Sequence, residues 1–310
     1  MLAYAVRRVL YTIPVLLGVA LLVFLLFNTV GEDPVRVALG RHATAQSIAE
    51  LRAQWGLDKP VPLQFLDFLG QIVTFDYGVS FNSGEKLSKL FTQGAAVSLW
   101  LTVPPFVVGF VVNIAFGLLV AYYRGSFFDR FSTAILIMTM SISYLVYIIG
   151  FQYFLGYRLE LFPVSGYEPG FEGLKYLLLP WLIILTVTAG EDVRMYRTMF
   201  LDETQADYVR TARAKGLSEP AVLVRHVLKN AMIPIVTYTM VAIPFLLMGA
   251  FLMERYFSLP GVGDLMISSI NSGDFPVLKG LTMVLAIAYS AMVLLTDLIY
   301  AWVDPRVSLR

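Results

Sequence analysis

Six stretches of this chain are apolar for long enough to cross a lipid bilayer, and that leaves few folds open to it. They cover roughly residues 9–30, 97–122, 132–155, 175–193, 232–254 and 280–303. About 20 apolar residues in a helix match the ~30 Å hydrocarbon layer. Inside that layer every backbone amide needs an internal partner, so only helices and closed barrels span it. A barrel is written as short alternating segments, which the sequence lacks. The expectation is an all-α polytopic membrane protein with six transmembrane helices. Pro104, Pro105, Pro180 and Pro244 fall within spans, where neighbouring helices can re-satisfy the carbonyls they free. The fourth stretch is the weakest, because Glu191 and Asp192 intrude near its end. Composition agrees: 58% of residues are hydrophobic and 15% charged, against about 25% charged in an ordinary soluble domain.

Arg7 and Arg8 precede the first apolar run, which is too long for a signal-peptide core and reads as an uncleaved span. Six spans put both termini on one side of the membrane. With that side cytoplasmic, segments 1–8, 123–131, 194–231 and 304–310 hold 13 of the 23 Lys and Arg in 62 residues. The positive-inside rule therefore favours N-in and C-in. Three regions follow: residues 1–30 as tail and first span, 31–95 as an extracytoplasmic loop, and 96–310 as a five-span core carrying the cytoplasmic loop 194–231. Within 31–95 a short helix is expected over 44–55. The loop is too ordered for a linker and too short for a catalytic domain.

Several chemistries are excluded or unsupported. The chain has no cysteine, hence no disulfide, thiolate metal site or Cys nucleophile. His42 and His226 fall on opposite sides of the membrane and cannot share a metal. Gly78 to Lys86 only approximates a phosphate-binding loop, with the wrong spacing before the lysine. A net charge of +1 leaves no footprint for nucleic acid. Intramembrane hydrolysis would need a paired Asp, a Ser with a base, or a metal cluster, and none is visible. A gradient-driven secondary transporter usually carries several ionisable groups near the midplane. Here Asn113 and Gln152 are the notable polar side chains of the spans, and both are candidates to line a pathway.

The largest cytoplasmic loop carries the segment DYVRTARAKGLSEPAVLVRHVLKN, residues 207–230. Asp202 and Gln205 have the spacing of a capping box. A helix should then run to Lys215, with Gly216 as its left-handed C-terminal cap. Ser218 can cap the next helix, with Pro220 in its first turn. Val224, Val227, Leu228 and Ala231 repeat at helical spacing as an apolar stripe. Such a hairpin serves either as a basic anchor against lipid phosphate or as a docking element for a cytoplasmic partner. Two ordered helices favour docking, since a solvated tether needs no such order.

The run from Asp207 to Leu217 closely resembles the EAA-type loop of ABC importer permeases of the dipeptide, oligopeptide and nickel family. Arg210 stands where the general pattern has Glu, and Pro234 comes several residues late, both usual within the peptide subfamily. GEDPVRVALG, LRAQWGLDKPVPLQF, YFSLPGVGDL, DFPVLKG and DLIYAWVDPRVSLR resemble further family blocks in the family's order, although Glu32 is inserted between the Gly and Asp of the first. The resemblance implies an ABC importer permease (MetI-like) architecture in the prokaryotic inner membrane. It implies a second homologous permease, two ABC ATPase subunits and an extracytoplasmic substrate-binding protein as partners, besides membrane lipid. ATP and Mg would sit on the ATPases, and the chain itself would be no enzyme and bind no cofactor. Asp207, Tyr208, Arg210, Thr211, Ala212, Arg213, Lys215, Gly216 and Leu217 would form the ATPase-coupling segment. Arg194, Arg197, Glu254 and Asp297 are candidates for structural or gating roles. Di- or oligopeptides are the expected cargo; nickel complexes, glutathione and oligosaccharides are carried by similar permeases.

Overall fold

The computed structural model describes residues 2–303 apart from 31–33, 40–43, 55 and 249. His42, part of GEDPVRVALG and the chain after residue 303 lie outside the described residues. The described chain is helical, with one isolated antiparallel bridge between Val79 and Lys86. Its α-helices are α1 Leu2–Leu25, α2 Pro34–Leu39, α3 Ala45–Gln54, α4 Val61–Thr74, α5 Leu87–Tyr122, α6 Phe127–Ser141 and α7 Tyr144–Phe151. There follow α8 Leu174–Glu203, α9 Asp207–Ala214, α10 Glu219–Val222, α11 Lys229–Met240, α12 Phe251–Phe257, α13 Val262–Ser272 and α14 Phe275–Val303. Five segments are long and apolar enough to cross a membrane: Arg7–Asn28, Leu87–Tyr122, Phe171–Glu203, Glu219–Leu247 and Phe275–Ile299. A sixth is counted if Phe127–Ser141 and Tyr144–Arg158, bent by 96° at their junction, form one broken span.

Several spans differ from the sequence expectation; the second, expected over 97–122, already begins at Leu87 of α5. The third, expected as one helix over 132–155, breaks at Ile142 and Ser143, which take extended backbone angles. Ser141 and Thr139 bond back to carbonyls of their own helix, a competition that weakens the regular ladder. Across the break the Tyr147 hydroxyl donates to the Thr139 carbonyl at 2.9 Å. The fourth span does not end at residue 193. It continues to Glu203 because Val193, Tyr196 and Phe200 keep one face buried at helical spacing, and the burial outweighs the charges opposite. The fifth starts earlier and ends at Leu247, leaving Glu254 on the separate helix α12.

Glycines set how closely the central helices approach, as small residues do in membrane interiors. A Cβ on Gly117 would press on Val193, Tyr196 and Arg197 of α8, and one on Gly109 would press on Leu185. One on Gly190 would collide with Thr139 and Met140 of α6. α8 is thus sandwiched between α5 and α6. At one edge α1 packs along α14, and Arg8 pairs with Asp297 at 2.7 Å, holding the two ends of the chain together.

Candidate functional site

The hairpin after α8 is amphipathic about its helices. Val209 and Ala212 of α9 are buried together with Val222, Leu223 and Val227, against Ala121, Tyr196 and Phe200. Asp207, Tyr208, Arg210, Thr211, Arg213 and Lys215 face outward. Ala212, grouped with the docking residues from the sequence, is therefore turned inward, and Leu217 is half-buried. Two other local expectations fail. Asp202 lies within α8, and α9 is entered through Ala206 with no side-chain cap, so there is no capping box. The expected stripe is also shifted: Val224 is exposed while Val222 and Leu223 are buried. The cause is a π-helical run over Leu223–Leu228, whose wider turn changes which residues share a face. Ser218 does occupy the N-cap position of α10, with no side-chain bond.

Gly216 adopts a φ of +79°, and its amide donates to the Arg213 carbonyl at 2.9 Å. This left-handed residue closes α9 and turns the chain toward α10. Across the turn Arg213 grips Glu219 with two bonds of 2.8 and 3.3 Å. Tyr208 donates its hydroxyl to Glu203. Partial burial, then that carboxylate, push the Tyr208 phenol up to about 12, so it remains a neutral donor at physiological pH.

The Arg213–Glu219 pair gives a test of what the arginine is for. Both side chains are about half exposed, so breaking the pair should cost at most about 1 kcal/mol. Arg213→Glu should reduce uptake by placing like charges together. If the pair is the arginine's only role, the swap Arg213→Glu with Glu219→Arg restores uptake. If Arg213 also meets an acidic partner, the swap stays impaired; uptake by the two variants, normalised to protein in the membrane, separates the cases.

A second feature lies between the middles of α5 and α8 and the C-terminal end of α11: a cavity of about 680 Å³ lined by Thr188, Glu191, Asp192, Tyr196, Tyr238 and Thr239 among apolar neighbours. Asn113, almost fully buried, donates to Asp192 at 3.0 Å. Tyr238 donates to Glu191 at 3.2 Å, and the Tyr196 and Thr239 hydroxyls share a bond of 2.8 Å. The sequence reading put Glu191 and Asp192 at the inner end of a short span. The longer α8 places them mid-helix, so two carboxylates face a cavity where the sequence offered only Asn113 and Gln152 as pathway candidates. Gln152 is not among its lining residues; its amide donates to the Val164 and Tyr256 carbonyls, both at 3.0 Å.

The other singled-out charges are held by partners. Arg197 makes a bidentate pair with Asp129 at 2.8 and 2.9 Å, joining α8 to α6. Arg194 reaches the Met140 sulfur. Glu254 is fully buried and accepts from Ser98 Oγ at 2.7 Å and from the Ala250 and Asp264 amides at 3.1 and 3.0 Å. Asp274, which sequence reasoning did not single out, accepts from Ser80 Oγ and from the Phe81 and Asn82 amides. The signal was present in the DFPVLKG block, but not the partner nearly 200 residues upstream.

Helices long and apolar enough to cross a membrane, packed around a cavity with an acidic wall, have the build of a multi-pass membrane permease. The chain is similar over its full length to curated transport proteins. It is 33% identical over 310 residues to the glutathione transport system permease protein GsiC of Salmonella typhimurium strain LT2, covering 99% of each chain. The Escherichia coli K12 protein of that name is 33% identical over 309 residues, again with 99% of each covered. Among solved structures, an inward-facing conformation of the MetNI methionine ABC transporter matches with a TM-score of 0.57 at 18% identity, over 70% of this chain and 97% of that one. Residues 113–309 match the family described as binding-protein-dependent transport system inner membrane component, and residues 1–97 match its N-terminal companion. The chain belongs to this family: it is an inner-membrane permease subunit of an ABC importer, a class energised by ATP-driven partners.

Proposed function

We propose that the chain is the translocating subunit of an importer for di- or oligopeptides, paired with a second homologous permease and driven by two ABC ATPases. On this reading α9 is the coupling helix, and a substrate-binding protein delivers cargo at the opposite face. The observation that carries it is the division of α9 into a buried apolar face and an exposed polar one. The apolar face ties the helix to α8 and the start of the fifth span, and the polar face is left for a partner. A movement imposed on α9 is thereby transmitted to helices that line the cavity. Residues 1–30, 31–95 and 96–310 serve as first span, extracytoplasmic segment and core.

The deciding experiment reconstitutes the complete importer with its binding protein. Uptake of alanyl-alanine and longer peptides should depend on ATP and on the loaded binding protein. Glutathione is the second cargo to test, because the full-length relatives are glutathione permeases by name. ATP-dependent uptake of glutathione that unlabelled peptides fail to inhibit would replace the peptide reading.

The proposed orientation is N-in, C-in. Single cysteines at the exposed positions Ser83 and Ser272, on this cysteine-free chain, should react with an impermeant maleimide in intact cells. A cysteine at Ser218 should react only after permeabilisation. External reaction at Ser218 would reverse the topology and remove α9 from any cytoplasmic ATPase.

A further inference from the structure

We propose that the mid-bundle cavity is a transit site for a protonated amine, with Glu191 and Asp192 as the counter-charges that receive the α-ammonium group of the cargo. This rests on the peptide reading above. Two neighbouring carboxylates face one cavity within the spans, where ionisable groups are costly and serve function by default. Among the described residues neither forms an ion pair. The nearest basic side chains in sequence are engaged elsewhere, Arg194 with Met140 and Arg197 with Asp129. The donors the carboxylates do have are neutral: Asn113 for Asp192 and Tyr238 for Glu191. Each leaves acceptor capacity unused, because a carboxylate accepts up to about four hydrogen bonds.

An ammonium fits what is missing. It brings one positive charge and three donors, and the phenols of Tyr196 and Tyr238 beside it can take cation–π or hydrogen-bond contact. A metal ion fits less well. Among the described residues no group of three or more His, Asp or Glu is placed to hold one. The cavity volume of about 680 Å³ falls within the range of small-molecule sites, about 300–1,000 Å³. The apolar lining, Phe106 and Phe110 of α5 with Val241, Phe245 and Leu246 after α11, recognises no particular side chain. The site would thus read the one group common to peptides with a free N-terminus and ignore their sequence.

The test uses the complete, purified importer without its binding protein, so that the binding protein's own selectivity does not enter. The probes are radiolabelled alanyl-alanine and its N-acetyl form, measured by equilibrium binding. Wild type should bind the free amine about ten- to a hundredfold more tightly, the range expected for hydrogen bonds to a charged group. Glu191→Gln, at an exposed position, and Asp192→Asn should each lose most of that preference while binding the acetylated peptide as wild type does. Co-purification of all subunits checks assembly, and Glu191→Gln keeps the test open if Asp192→Asn fails to assemble. Equal binding of both probes by wild type, or an unchanged preference in assembled variants, would overturn the inference. A wild type that imports no peptide in the uptake assay would instead overturn the peptide reading.

Discussion

Gly216→Val is expected to lower ATP-driven uptake by about 5- to 30-fold while leaving the amount of protein in the membrane unchanged. The expectation comes from the backbone alone. Gly216 sits at φ +79°, and no atom lies within 4 Å of where its Cβ would be. A side chain there meets no collision; it meets only the left-handed penalty of roughly 1–2 kcal/mol. That is small against the packing of a helical bundle, so insertion should proceed. It is also enough to depopulate the turn between α9 and α10 by the stated factor. The measurement is uptake in vesicles, together with co-purification of the ATPase. Gly216→Asn is the informative companion, because Asn tolerates left-handed geometry better than Val, and it should retain most activity. Equal activity of the Val variant and wild type would mean that the angle between α9 and α10 does not matter for transport, and the coupling role assigned to α9 would fall.

The second large effect is structural and lies at the other end of the bundle. Glu254→Ala should sharply reduce yield and thermal stability in detergent. It removes the acceptor of three buried or half-buried donors: the Ser98 hydroxyl and the amides of Ala250 and Asp264. Each donor left without a partner costs about 1–3 kcal/mol. Ser98 in turn accepts from the Val262 amide at 2.9 Å, so the loss would loosen the 258–261 loop and the first turn of α13 from α5. Gly261→Ala should act through the same contact, since a Cβ there would overlap the Glu254 carboxylate. Serine at 98 is predicted to tolerate Thr better than Ala, because the hydroxyl is what the loop needs. A Glu254→Ala protein with wild-type yield and melting temperature would show that the loop is held by its apolar packing instead.

The helical class and five of the six spans were legible because bilayer thickness writes itself into run length; the sixth stands only if the bent pair around Ile142 and Ser143 counts as one span. Gly216 was legible because a left-handed C-terminal cap favours glycine, although Phe75 and Ser258 take the same geometry elsewhere in the chain. What stayed hidden depended on partners distant in sequence or on local departures from the regular helix. Val224 was placed on the buried stripe by a 3.6-residue period, and the π-helical run over Leu223–Leu228 moved it out. The apolar run of the fourth span ended at Ala189, yet the helix continued on one buried face, and that shift carried Glu191 and Asp192 from a helix end to a cavity wall. Asn113 was singled out for its polarity, but its role as donor to Asp192 needed the close approach that Gly109 and Gly117 allow. Asp297 could be paired with an arginine in principle; only the packing of α1 on α14 selects Arg8.

That last pairing sets a timetable for synthesis. Arg8 leaves the ribosome first, and Asp297 follows 289 residues later by number, roughly 15–60 s at about 5–20 residues per second. Phe24 and Phe68 wait 255 and 211 residues for Lys279, which settles over their rings at 4.9 and 4.1 Å. The first span must therefore wait with only its early contacts, Phe24 on Phe65 and Phe68 of α4, until the last one arrives beside it. A nascent chain stalled before residue 275 would carry an unmatched Arg8 and an aromatic face without its cation, the kind of half-built species that membrane quality control removes.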